Sequence, residues 1–150
     1  MQFSRILVVC TGNICRSPVG AAMLKVRLAQ TIESAGIGAL VGQGVDASAK
    51  ALAEADGLDV TEHQARQITE EMIHQADLIL VMSEDQRRAI GQLAPAATGK
   101  TMLFGRWLDE SGTKSVGTEI PDPYKKSPEA FEYVHQQLVR AADTWQNRLG

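Results

Sequence analysis

Four consecutive apolar residues, Ile6-Leu7-Val8-Val9, lead straight into Cys10-Thr11-Gly12-Asn13-Ile14-Cys15-Arg16-Ser17-Pro18, and this junction constrains the fold more than any other stretch. The apolar run reads as a buried strand. Pro18 with Val19, Ala22, Met23 and Val26, spaced three and four apart, reads as an amphipathic helix over Pro18–Gln30. The alternation then recurs. Strands are expected at Arg5–Val9, Thr31–Ala35, Leu78–Met82 and Thr101–Phe104, and helices near Ala47–Gly57, Thr69–Gln75 and Glu84–Leu93. In a last helix, Phe131, Val134, Leu138, Ala141 and Trp145 share one face, and Ser127-Pro128-Glu129 supplies its cap and first turn. Strands alternating with helices predict an α/β fold: one domain over residues 1–150, with a four-stranded parallel sheet and helices on both faces. Chemistry in such sheets sits at the carboxyl ends of the strands, which is where Cys10 falls.

Composition removes several classes of function. A net charge of −3 argues against a nucleic-acid binder, though a local basic site is compatible with it. No apolar run approaches the ~18 residues of a membrane span, so direct membrane insertion is not expected. The start of the chain has no signal-peptide layout. Two cysteines this close together do not staple a fold, so a reducing cytoplasm is the expected setting. The histidines, His63, His74 and His135, are scattered and no Cys-x-x-Cys pair exists, so no metal site is expected. No cofactor is implied.

The loop after the first strand carries chemistry. Backbone N–H groups of a strand-to-helix turn converge into a small cup at the positive end of a helix dipole. Arg16 offers a planar, two-pronged donor matched to phosphate. The same features favour a thiolate. The loop therefore reads as a phosphate cup with Cys10 as nucleophile at its base. A second group stands in the least regular segment, Gly105–Lys126, which contains Gly112 and Gly117. There, Pro121 and Pro123 bracket Asp122 in Pro121-Asp122-Pro123-Tyr124. A stiffened carboxylate suits a general acid. Taken alone, the same four residues read first as a surface turn, since Asp and Pro are standard turn residues, and it is the combination with the cysteine loop that favours the acid.

The two signals together resemble the low-molecular-weight protein-tyrosine phosphatases, over essentially the whole chain. The resemblance rests on Gly12-Asn13-Ile14-Cys15-Arg16-Ser17-Pro18 and on Asp122-Pro123-Tyr124, with support from Glu33-Ser34-Ala35-Gly36 and His63-Gln64-Ala65-Arg66-Gln67. Gly38-Ala39-Leu40-Val41-Gly42 and Met102-Leu103-Phe104-Gly105 are similar to a bacterial, Wzb-type branch. The family implies hydrolysis of protein phosphotyrosine through a phosphocysteine intermediate. The catalytic residues would be Cys10, Arg16 and Asp122, and Thr11, Gly12, Asn13, Ile14, Cys15 and Ser17 would bind phosphate or support the loop. His63 would brace that loop, although a solvated loop histidine is an equal reading of its sequence setting. The branch implies a phosphotyrosyl partner that is a membrane tyrosine kinase of capsule or exopolysaccharide export. Members outside this branch often place a large aromatic after the second strand. Here Leu40 and Val41 stand there, leaving Tyr124 as the main aromatic of the substrate cleft.

Cys15 has two readings: a small buried residue behind the loop, or a reversible disulfide partner for Cys10. Trp107 could pack under the long loop or line the cleft, and Lys125 and Lys126 read as a solvated basic patch. Thr98-Gly99-Lys100-Thr101 imitates a Walker loop, but Ala94 replaces the first glycine and a strand follows where a helix is needed. Gly42-Gln43-Gly44-Val45-Asp46-Ala47 matches a dinucleotide pattern in letters only, since no strand runs directly into it. An arsenate reductase would need relay cysteines, and none follows Cys15. A phosphocysteine carrier would not need Asp122, and a mere phosphotyrosine-binding module would not need the whole set.

Overall fold

Strand β1 (Arg5–Cys10) pairs in parallel with both β2 (Thr31–Gly36) and β3 (Leu78–Val81), and β3 pairs in parallel with β4 (Thr101–Leu103). The sheet order is β2-β1-β3-β4. The computed structural model that gives this architecture describes residues 3–109 and 117–150. Gly112 lies outside the described residues.

Both faces of the sheet are covered, as its unalternated apolar strands require. Ile6, Val8 and Cys10 of β1, with Leu78 and Leu80 of β3, face one core layer. That layer is closed by α1 (Arg16–Lys25), α2 (Ala47–Ala55) and α5 (Pro128–Leu149). Leu7, Val9, Ile79 and Val81 face the other layer, under α3 (Glu70–Gln75) and α4 (Glu84–Leu93). The apolar face predicted for the last helix is buried from Phe131 to Trp145. Trp145 also satisfies its indole N–H on the Phe104 carbonyl at 2.8 Å. The Walker-like segment is a 3-10 helix, Pro95–Lys100, running into β4.

Two departures from the sequence expectations have physical causes. Helix α1 begins at Arg16, ahead of Pro18, and ends at Lys25, short of Gln30. It is buried nearly all round, so its apolar residues do not form one stripe, and Val26, assigned to that stripe, is 67% exposed. The chain turns there to reach β2, and Leu28 is buried in place of Val26. Strand β3 stops at Val81 because the Met82 carbonyl takes the Ile120 N–H at 2.9 Å instead of continuing a ladder with β4. That exchange brings Gly117–Tyr124 over the carboxyl ends of β1 and β3. In a sheet of this order the direction in which strands are added reverses between those two, and the crevice opens there.

Candidate active site

The loop between β1 and α1 is held from outside by its carbonyls. Cys10, Thr11 and Gly12 accept from the backbone N–H groups of Ile37, Gly38 and Leu40, and Ile14 accepts from Asp46, all at 2.9–3.0 Å. The fifth carbonyl, of Asn13, lies 2.6 Å from His63 Nε2. A trans peptide sets each N–H opposite the preceding carbonyl. Five outward carbonyls therefore turn the N–H groups of Thr11 to Cys15 inward, toward the space around Cys10 Sγ. Gly36 makes this contact possible: a Cβ there would lie 2.5 Å from the Thr11 oxygen.

Asn13 shapes the cup from within. It is fully buried at φ 59°, a left-handed conformation that asparagine tolerates better than most residues. Its Nδ2 donates to Ser17 Oγ at 2.8 Å and to Ser34 Oγ at 3.0 Å, and its Oδ1 accepts the Arg66 N–H at 2.9 Å. With a lone pair taken by Asn13, the Ser17 hydroxyl has its hydrogen for Cys10 Sγ, 2.9 Å away. The Asn13 N–H donates to the same sulfur at 3.3 Å. Two donors thus converge on the sulfur. Helices α2, α3, α4 and α5 each have a side-chain N-cap, from Asp46, Thr69, Ser83 and Ser127. Helix α1 has none, and no acidic residue in its first turn, so its N–H groups and dipole face the cup uncapped.

Arg16 is the first residue of α1 and only 5% exposed. Its Nη1 donates to the Ile120 carbonyl at 2.8 Å, and its Nη2 stands 3.9 Å from Asp122 Oδ2. Its Nε–H is buried with no partner among the described residues, a costly state that an anion in the cup would relieve. Asp122 itself is half exposed, and its Oδ1 accepts the Tyr124 N–H at 3.0 Å. Leu40 and Tyr124 line a cleft of about 200 Å³ with Cys10 at its base and Arg16 and Asp122 along its side. A second groove of about 590 Å³ opens on the other side of Arg16 and Asp122, toward Gln86 and Glu119.

The remaining sequence candidates fall into place around this centre. His63 reaches the phosphate loop through Asn13. Burial lowers its pKa from 6.5, opposed by its bond to the Asn13 carbonyl and reinforced by Lys25 and Arg66. Nε2 must carry a hydrogen to donate to a carbonyl, which fixes the neutral tautomer. Folded His63 binds fewer protons than unfolded His63 just below pH 6.5. Stability should therefore rise with pH through that window and level off above it. His63→Gln keeps an N–H donor without titrating. It should flatten the loss of thermal stability expected of wild type between about pH 7.5 and pH 5.5, and an unchanged loss would exclude His63 as its source.

Cys15 lies in a small apolar pocket with Val19, Phe131 and Leu138, and its thiol is pushed up to about 12, chiefly by burial and then by the Asp46 charge. Both cysteines are free thiols. Trp107 packs edge-on against Trp145, ring centres 6.0 Å apart, with the Arg148 guanidinium 3.5 Å over its ring. It belongs to the α5 side of the long loop and does not line the cleft. Lys125 takes φ 60° beside the cleft, its Nζ 5.4 Å over the Tyr124 ring. Two residues of the site escape a reading of the sequence. Gln86 is buried, accepts the Met82 N–H at 2.7 Å and donates to Thr11 Oγ1 at 3.2 Å. Its signal was the capping-box spacing Ser83-x-x-Gln86. Ile120, fully buried, has its N–H on Met82 and its carbonyl on Arg16, and no local pattern announces that.

Fold and site together define an α/β phosphate-binding protein with a cysteine at the base of its anion cup. Comparison with known proteins narrows this class. The model of the low molecular weight phosphotyrosine protein phosphatase family matches residues 5–150, and the chain belongs to that family. It is 45% identical to the low molecular weight protein-tyrosine-phosphatase Etp of Escherichia coli K12, covering 99% of this chain and 97% of that one. The tyrosine phosphatase Wzb of Escherichia coli K30, solved with sulphate, superposes with a TM-score of 0.92 at 47% identity, covering 99% of this chain and all of that one. Vibrio vulnificus Wzb, solved with benzylphosphonate, gives 0.89 at 45% identity, with 98% and 99% covered. The expected family resemblance and fold class both hold.

Proposed function

We propose that this chain hydrolyses phosphotyrosine in proteins in two steps, with Cys10 as nucleophile. The observation that carries the reading is the ring of outward-tied carbonyls, which turns the N–H groups of Thr11, Gly12, Ile14 and Cys15 toward the space over Cys10 Sγ and sets that of Asn13 on the sulfur itself. The Cys10 thiolate attacks phosphorus in line. The phosphorus–oxygen bond to the tyrosine breaks, and its electron pair leaves with the phenolic oxygen. Asp122, protonated, gives that oxygen its proton. Loop amides and the Arg16 Nε–H and Nη2–H hold the equatorial oxygens, and most catalysis of phosphoryl transfer is such positioning and charge stabilisation. Water then attacks the phosphocysteine while Asp122 takes its proton, and the sulfur departs as thiolate onto the Ser17 hydroxyl. Thr11, Gly12, Ile14 and Cys15 contribute amides, Asn13 and His63 hold the loop, and Leu40 and Tyr124 form the walls for a phenyl ring.

The Leu40 and Tyr124 walls above Cys10 favour an aryl over a short alkyl phosphate ester, since they offer apolar surface to a phenyl ring. The relatives named Wzb and Etp support phosphotyrosine as substrate. For the physiological partner we propose an autophosphorylated membrane tyrosine kinase in capsule or exopolysaccharide production, met at its cytoplasmic side. No helix among the described residues is long and apolar enough to cross a membrane.

Phosphate release from matched phosphotyrosyl and phosphoseryl peptides in the presence of EDTA tests the reading. Fast release from phosphotyrosine alone is the expected result. Accumulation of a stable phosphocysteine without release would make the chain a phosphoryl carrier instead.

A further inference from the structure

The segment that carries Asp122 is fastened to the body of the protein at three successive residues. The Thr118 N–H donates to the Gly105 carbonyl at 3.0 Å, and Ile120 is held by Met82 and Arg16 through its main chain. Between them, Glu119 Oε2 accepts the Glu84 N–H at 2.8 Å. Glu84 is the first residue of α4, and its N–H is one that the helix leaves without an internal partner. The local cap, Ser83, takes the Gln86 N–H, so Glu119 completes the capping from a distant part of the chain. The helix dipole adds to this bond. It also explains how Glu119 is tolerated beside Glu84 and Asp85, which are themselves paired with Arg87 and Arg88.

The same end of α4 also holds the nucleophile loop, because Gln86 donates to Thr11 Oγ1. One rigid helix terminus therefore carries both halves of the proposed chemistry, with a groove between them lined by Thr11, Gln86, Glu119 and Asp122. Between Glu119 and Asp122 the chain is tied at both the N–H and the carbonyl of Ile120, and the ring of Pro121 fixes its φ, so little freedom separates the two side chains. A shift at one is passed to the other. Asp122 needs such control because its side chain is half exposed, with one contact to its own turn and a long one to Arg16 among the described residues.

We propose that Glu119 is a positioning residue for the general acid: its bond to the N-terminus of α4 sets where Asp122 meets the leaving oxygen. This rests on the assignment of Asp122 as the acid. A badly placed acid matters only when the departing oxygen needs a proton. The test compares kcat/KM for phenyl phosphate, a poor leaving group, with that for dinitrophenyl phosphate, a good one. Wild type, Glu119→Ala, Glu119→Gln and Asp122→Ala are measured, with thermal unfolding of each. Glu119→Ala should lose about 10-fold on phenyl phosphate and less than about 2-fold on dinitrophenyl phosphate. Glu119→Gln keeps an acceptor for the Glu84 N–H and should restore the wild-type ratio. Asp122→Ala should show the same bias, about 10²–10⁴-fold. Equal losses on both substrates, or none, in Glu119→Ala while Asp122→Ala keeps its bias would overturn the role of Glu119 alone. Absence of bias in Asp122→Ala would overturn the acid assignment, and this proposal with it.

Discussion

Cys10→Ser should lose turnover of phosphotyrosine by about 10⁴-fold or more, because an alcohol does not supply the anionic nucleophile at neutral pH. Binding should survive. The cup is made by backbone N–H groups whose carbonyls are held by the 36–46 segment and His63, and none of those bonds uses the cysteine side chain. Serine places a hydroxyl near Ser17 Oγ, where the sulfur now lies at 2.9 Å, so the local bonding continues. Calorimetry with inorganic phosphate should give a Kd within a few-fold of wild type, as about 1 kcal/mol or less separates the two cups. Acid quench of wild type during turnover, followed by phosphorus NMR, should reveal a phosphorus–sulfur bond that is missing in the variant. Retained turnover in Cys10→Ser would place the nucleophile elsewhere. Lost affinity would mean that the sulfur, and not the amides, organises the anion site.

What the sequence disclosed about this site follows the range of the forces involved. Buried strands were legible because β1 and β3 carry unbroken apolar runs, which a sheet covered on both faces demands. The nucleophile loop was legible because its amides, arginine and hydroxyl lie within eight residues of one another. Helix α1 was read too long and too amphipathic. Its neighbours on nearly every side are apolar, so composition around the helix no longer reports which way it faces. The braces were the least visible. Arg16 meets Ile120 across 104 residues, Asn13 meets Arg66 across 53, and Gln86 meets Thr11 across 75. Each partner is an ordinary residue whose role exists only once the strands are in register. Family resemblance could flag His63, but the reason for it is the Asn13 carbonyl, which local patterning does not show.

Arg16→Lys should retain the charge and still lose about 10³-fold in kcat/KM, at the upper end of what removing a single preorganised donor costs. The guanidinium has three tasks at once. Nη1 holds the Ile120 carbonyl, Nη2 stands near Asp122, and Nε is buried with no partner among the described residues, so it can meet an anion. An ammonium is a point donor on a flexible stem and cannot hold a strap carbonyl and two phosphate oxygens in one plane. Lysine must choose. If it stays on Ile120, the equatorial oxygens lose their fork; if it turns to phosphate, the strap loses its tie and Asp122 its placement. These alternatives separate experimentally. Loss of the fork should fall on both phenyl and dinitrophenyl phosphates, since every leaving group develops the same equatorial charge. Loss of the strap should fall on phenyl phosphate alone, through the acid. We expect the first pattern to dominate, with a smaller bias superimposed, because Ile120 keeps its second bond to Met82. Near-normal activity with lysine would show that charge, and not the planar geometry of the donors, is what the cup requires at this position.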